Sequence, residues 1–304
     1  MQAHDAAGGT ATQMSRRWLL VAGVAALLGR FPHVKAARSV ASAEEAIAAI
    51  HKRIGGRLGV HALDTETGTR VGFDDRSRYA MASTFKWLLV AAILARVDRG
   101  ELSLEQAVTF GEKDMLPHAP VTSKLLSKGS ASIRELCAAI VEVGDNPAAN
   151  LLLRLIDGPA GLTRYIRSLG DTETRLDRYE PDLNANLPGD PRDTTTPRAM
   201  VNCLEHVLTR GALSTRSREL LTSWLVSSIT GLQRIRAGLP SGWMAGDKTG
   251  TGANGAANDV AIAWPPGRKP LLIAIYMSES SLDMETLSAA HSEIARVLVS
   301  ALAS

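Results

Sequence analysis

Ser83 and Lys86 lie three residues apart in Met81-Ala82-Ser83-Thr84-Phe85-Lys86, directly ahead of the apolar run Trp87-Leu88-Leu89-Val90-Ala91-Ala92-Ile93-Leu94. The run has no glycine or proline, so it predicts a buried helix with Ser83 at its first turn and Lys86 on the same face. A serine hydroxyl is a weak nucleophile at neutral pH. A desolvated amine one turn away can take its proton, and N–H groups at a helix start can hold an oxyanion. The same residues also read as a polar cap and a snorkelling lysine, so this spacing alone assigns no chemistry. Three further segments carry reactive side chains: Val143-Gly144-Asp145-Asn146-Pro147, Arg178-Tyr179-Glu180-Pro181-Asp182-Leu183-Asn184, and Lys248-Thr249-Gly250-Thr251-Gly252. Singly these read as a helix cap ahead of Pro147, a solvated loop carboxylate and a strand end.

The elements that must position these residues follow from periodicity. Ala43, Ala46, Ile47 and Ile50 recur at helical spacing over Ser42 to His51. Leu58, Val60 and Ala62 alternate up to the turn Asp64-Thr65-Glu66-Thr67-Gly68, and Thr69 to Phe73 returns, which predicts a hairpin. From Ser83 to about Leu225 the pattern is helix after helix with no convincing strand. The helices are Ile133 to Val143, Pro147 to Ile156, Leu162 to Leu169, Pro197 to Leu208 and Ser217 to Val226. Strand character returns at Trp243 to Ala245, Val260 to Trp264 and Leu271 to Tyr276, and Asp283 caps a last amphipathic helix. Strands at both chain ends with helices between predict one sheet in a discontinuous domain. Two turn-rich segments, Asp114 to Thr122 and Asp177 to Pro197, interrupt the helices, and loops of that length are commonly functional.

Composition excludes several classes. The chain has 304 residues, 45% hydrophobic and 21% charged, with net charge +3. That is enough for a sizeable core and too little scattered positive charge for a nucleic-acid partner. Cys137 and Cys203 are far apart, and no histidine falls in a ligand cluster, so no metal is inferred. Residues 1–37 read as an export segment: Ser15-Arg16-Arg17, an apolar stretch from Trp18 to Leu28, and Val34-Lys35-Ala36 as a cleavage site. The arginine pair implies the twin-arginine route, with the general secretory route or an uncleaved anchor as alternatives. The rest is expected in the periplasm, without stable membrane association, as a monomer.

Together, and in this order, the motifs resemble those of the class A serine β-lactamases: S-x-x-K, S-D-N, K-T-G and a loop glutamate. The resemblance spans essentially all of the chain after the export segment. It implies an α+β fold with a five-stranded antiparallel sheet flanked by N- and C-terminal helices and an inserted all-helical domain. The bounds expected are 38–76 with 227–304 for the discontinuous domain and 77–226 for the insert. It implies Ser83 as the acylated nucleophile, Lys86 as its base partner, and Glu180 with Asn184 as activators of the deacylating water. It assigns the oxyanion hole to the N–H groups of Ser83 and Thr251. Lys248, Thr249 and Thr251 would hold the substrate carboxylate and Asn146 the substrate side-chain amide. Asp145 would support the site, and an Arg178–Asp193 pair would pin the loop. No cofactor is implied, and the substrates are penicillins and cephalosporins.

Three positions depart from the family pattern. Gly144 stands where the family has a serine whose hydroxyl passes a proton to the ring nitrogen. Water in the vacated space would have to serve, so slower acylation is expected. A second nucleophile for clavulanate-like inhibitors to cross-link is also gone, which implies weaker irreversible inhibition. Arg234 matches the position from which one subset of the family supplies a guanidinium to the carboxylate, in place of an arginine on the Val260 strand. His118 stands where an aromatic lines the entrance, where its ring can stack on substrate. The cysteine pair of some carbapenem-hydrolysing relatives is absent, since Ala82 and Gly252 hold those places, and Cys137 and Cys203 read as free buried thiols. The rival readings are a D-alanyl-D-alanine peptidase, against which Glu180 and Asn184 speak, and a β-lactam binder that does not turn over, prompted by Gly144.

Overall fold

The structure, a computed structural model, describes residues 31–303, with side chains from residue 39 on. The arginine pair and apolar stretch expected to direct export lie outside the described residues. Helix α1 (Phe31–Ile54) leads into strands β1 (Arg57–Asp64), β2 (Arg70–Phe73) and β3 (Tyr79–Ala80). A 3₁₀ turn, Ala82–Thr84, then opens α2 (Phe85–Asp98). There follow β4 (Ala107–Thr109), α3 (Thr122–Leu125), β5 (Ser130–Ser132), α4 (Ile133–Glu142), α5 (Asn146–Arg154) and α6 (Gly158–Ser168). After the long loop come β6 (Thr194–Thr195), α7 (Pro197–Leu208) and α8 (Thr215–Val226). The chain closes with β7 (Met244–Thr251), β8 (Ala257–Trp264), β9 (Leu271–Ser278) and α9 (Met284–Leu302).

The strands from both chain ends form one antiparallel sheet in the order β2-β1-β9-β8-β7, as the α+β expectation required. Both faces are covered, so β8 and β9 read as near-continuous apolar runs. Alternate residues serve two cores. Val260, Ile262, Leu272, Ala274 and Tyr276 face the helical block, whereas Ala261, Ile273, Ile275 and Met277 pack with Ile47, Ile54, Ile294 and Leu298 of α1 and α9. Helix α2 is buried on every side from Phe85 to Ala95, which is why its sequence carries no polar stripe.

Two expectations need correction. The helical block does contain strands: β4 pairs with β5, and β6 pairs with β3 through Tyr79↔Thr195 and Ala80↔Thr194. Strands of two or three residues are too short to show alternation in the sequence. Lys248-Thr249-Gly250-Thr251 does not follow a short strand but lies inside β7, paired with Val260 to Ala257 of β8. The charged and glycine residues hid the strand, because propensity disfavours both.

Candidate active site

Ser83 sits in the 3₁₀ turn rather than in the α-helix itself, and Ala82 before it is left-handed, with φ +43. Two neighbours and a bond within the turn hold it. Asn258 Nδ2 donates to Ala80 O (2.9 Å) and Met81 O (3.2 Å), Thr84 Oγ1 donates to Met81 O (2.9 Å), and Met81 N donates to Asp193 O (2.9 Å). Strand β7 passes so close that a Cβ at Gly250 would lie 2.5 Å from Met81 O, so only glycine fits there. A cavity of about 350 Å³ is lined by Ser83, His118, Gly144, Asn146, Asn184, Thr230, Arg234, Lys248, Thr249 and Thr251.

Lys86 and Glu180 lie behind the serine with fully buried side chains, Nζ 3.0 Å from Oε1. Lys86 also donates to Gly144 O (2.7 Å) and Asn146 Oδ1 (2.5 Å). Burial lowers its pKa from the ordinary lysine value, and the Glu180 charge opposes that fall. Glu180 is therefore not the solvated loop carboxylate that its segment alone permits. Asn184 Nδ2 donates to Glu180 Oε2 at 2.6 Å, and Asn150 clasps the Glu180 backbone from both ends, its Nδ2 on the carbonyl (2.9 Å) and its Oδ1 on the N–H (3.0 Å). At the base of the loop Arg178 Nε meets Asp193 Oδ2 at 2.5 Å, and Asp193 Oδ1 accepts from the N–H groups of Asp177 and Arg178.

Asp145 combines its two readings. It caps α5 through Ala148 N (3.0 Å), and it also accepts from Val121 N, Thr122 N and Thr122 Oγ1, tying the turn that carries Gly144 to the neighbouring loop. On β7, burial drives the Lys248 ammonium down to about 7; the nearby Lys86 charge adds to the fall, and Asp247 and Asp259 oppose it. Arg234, 6% exposed, donates to Gly250 O (3.2 Å), Asn258 O (2.6 Å) and Thr251 Oγ1 (2.8 Å), so its guanidinium reaches the cavity wall rather than solvent. His118 lies exposed at the mouth, its Nε2 donating to Val143 O at 2.8 Å. Cys137 and Cys203 are free and buried, as expected.

Sequence reasoning missed several contributors. Thr230 Oγ1 accepts from Thr249 Oγ1 at 2.8 Å, and its irregular segment gives no signal. Asn150 shares a helix face with Asn146 at i+4, a spacing that could have revealed it. Asp247 of β7 and Asp259 of β8 are buried within the sheet, where Asp247 pairs with Arg236 and burial raises the pKa of both carboxyls. Charged residues inside apolar strands were the available sign.

The arrangement can acylate a serine and hold a base against the resulting ester, which defines a serine hydrolase working through an acyl-enzyme. Residues 42–302 match the model of the β-lactamase enzyme family. The chain is 44% identical to β-lactamase AST-1 of Nocardia asteroides, covering 86% of this chain and 84% of that protein. It is 41% identical to the carbapenem-hydrolyzing β-lactamase KPC of Klebsiella oxytoca, covering 85% and 88%. Among solved structures, an ancestral class A β-lactamase superposes with a TM-score of 0.84 at 49% identity, covering 85% of this chain and 99% of that one. A β-lactamase of Xanthomonas campestris superposes at 0.85 with 46% identity, covering 88% and 99%. The chain belongs to the β-lactamase enzyme family and, within it, to the class A serine enzymes, which open the β-lactam ring through a serine acyl-enzyme.

Proposed function

We propose that Ser83 is the acylated nucleophile for penicillins and cephalosporins and that Glu180 activates the water that releases the product. The observation that carries this reading is the buried Lys86–Glu180 pair behind Ser83, with Asn184 donating to the same carboxylate. A carboxylate so placed has a use only if the ester is to be hydrolysed, which disfavours the peptidase and binder alternatives. Lys86, lowered by burial, and Glu180 share the serine proton; the N–H groups of Ser83 and Thr251 receive the oxyanion. Lys248, Thr249, Thr251 and Arg234 hold the substrate carboxylate, Asn146 holds the side-chain amide, and His118 stacks at the entrance. Asp145, Arg178 and Asp193 keep these groups in place. The helical block 77–226 acts as an insert in the sheet domain, and the enzyme works as a periplasmic monomer after export. Steady loss of β-lactam absorbance with a penicillin and a cephalosporin tests the reading, and failure of both to open would overturn it.

The depressed Lys248 pKa gives this anchor a pH signature. Lys248 is cationic below about pH 7 and loses its charge above it, so its hold on a carboxylate weakens as pH rises. A bound anion restores the proton, which confines the effect to the free enzyme. The kcat/KM for carboxylate-bearing substrates is expected to decline above about pH 7 while kcat stays nearly level. In Lys248→Arg the part of the decline that Lys248 causes should move out of range, because arginine stays charged. A flat wild-type kcat/KM profile across the same range would contradict the assignment.

Arg178→Ala tests the loop. It leaves the wholly buried Asp193 carboxylate with backbone donors only, a loss of about 1.5–3 kcal/mol in thermal or denaturant unfolding. Because Asp193 also receives the Met81 N–H, the variant is expected to deacylate more slowly, with acyl-enzyme visible in the steady state. Unchanged deacylation would detach this pair from Glu180.

A further inference from the structure

Opening the ring leaves the electron pair of the broken C–N bond on nitrogen, and that nitrogen needs a proton. Gly144 supplies no hydroxyl, and what surrounds its missing side chain is specific. From the position its Cβ would occupy, His118 Nε2 lies at 3.3 Å, His118 Cδ2 at 3.8 Å and Lys248 Nζ at 4.0 Å. An imidazole edge thus borders the space, in the cavity that also holds Ser83.

His118 is held there. Its backbone is left-handed, with φ +62, which costs a residue with a side chain and persists only where the surroundings impose it. Prolines 117 and 120 flank it; its carbonyl accepts from Asn146 N (3.0 Å), and the Pro117 carbonyl accepts from Asn146 Nδ2 (3.1 Å). Residues of the site therefore clamp the loop that carries the ring. Three other donors at the site are committed. Lys86 is shared among Gly144 O, Asn146 Oδ1 and Glu180, Thr249 Oγ1 donates to Thr230, and Lys248 donates to Thr249 O and is wanted as a cation for the substrate carboxylate. Histidine is the side-chain type that exchanges protons near neutral pH.

We infer that His118 is the general acid of acylation in this chain, occupying the chemical role that the missing hydroxyl at 144 leaves open. The inference rests on the β-lactamase reading of the site. As the bond from Ser83 Oγ to the carbonyl carbon forms, the serine proton passes to the Lys86–Glu180 pair. The C–N bond breaks with its electron pair on nitrogen, and the protonated imidazole transfers its Nε2 proton from the Val143 carbonyl to that nitrogen, directly or through one water in the gap. The neutral ring regains a proton from solvent at the exposed mouth. The same geometry would strain a serine at this position. Gly144 has φ +78, and a side chain there meets the His118 ring at a distance tighter than ordinary contact.

The test compares leaving groups. Acylation rate constants are measured by rapid mixing for wild type, His118→Phe, which keeps a ring for stacking, and His118→Asn, which suits the left-handed backbone. One substrate is a penicillin, whose nitrogen leaves as a basic amine. The other is an N-sulfonated monocyclic β-lactam, whose nitrogen leaves as a weakly basic anion that needs little protonation. Both variants are expected to slow penicillin acylation by about 10²-fold while changing the sulfonated substrate less than about threefold. Equal losses on both substrates, or a change confined to KM, would reduce His118 to a stacking residue, and no loss with penicillin would remove it from the reaction. If wild type itself acylates neither substrate, the functional reading fails rather than this one. Either variant suffices should the other fail to fold.

Discussion

Glu180→Gln is expected to react once and stall. The amide keeps the shape and an oxygen for Asn184 Nδ2, and Lys86 retains Gly144 O and Asn146 Oδ1 as acceptors, so the fold and the acylating side of the site survive. What is lost is the base that takes a proton from water, a contribution of about 10²–10⁴-fold for a positioned general base. A stoichiometric burst followed by a persistent acyl adduct is the predicted time course, read by stopped-flow absorbance and intact mass. Fast turnover in this variant would exclude Glu180 as the deacylating base. Loss of the burst itself would show that, of the pair that shares the serine proton, Glu180 rather than Lys86 is the one acylation requires.

Ser83→Ala carries the other large effect. The alanine leaves the anchors Lys248, Thr249 and Arg234 in place, so substrate should bind with little change. Turnover should fall on the order of 10⁶-fold, the scale seen when the nucleophile of an acyl-transfer enzyme is removed. Ser83 is only partly buried and its hydroxyl supports no core contact, so the change in stability should stay within about 1 kcal/mol. Isothermal titration with a slowly opening β-lactam would show whether binding persists. Loss of binding together with activity would mean that the turn has reorganised.

The parts of this molecule that could be read from its sequence share a physical property: each is a local pattern. The apolar runs of α2 and β9, the alternation of β1, Asp283 as a helix cap and the four motif segments need only their neighbours in the chain to be recognised. What escaped depends on contacts between distant segments. The β3–β6 pairing joins Tyr79 to Thr195, Asn150 reaches across to Glu180, and the depth of Glu180 follows from the loop folding back on α5. The extent of β7 was hidden because Asp247 and Lys248 are poor strand residues that this site buries against Arg236 and one another's charges. Gly144 and His118 were each singled out, but only the fold shows that one borders the space left by the other. Local rules fail here where function places polar groups in an apolar setting.

An acyl-enzyme on Ser83 that Glu180 clears can be caught by rapid-quench peptide mass spectrometry of wild type and Glu180→Gln mixed with a penicillin. One substrate mass is expected on the peptide containing Ser83, accumulating to one equivalent in Glu180→Gln and staying scarce in wild type while product forms steadily. An adduct on any other residue, or steady product formation in both proteins with no adduct in either, would contradict it.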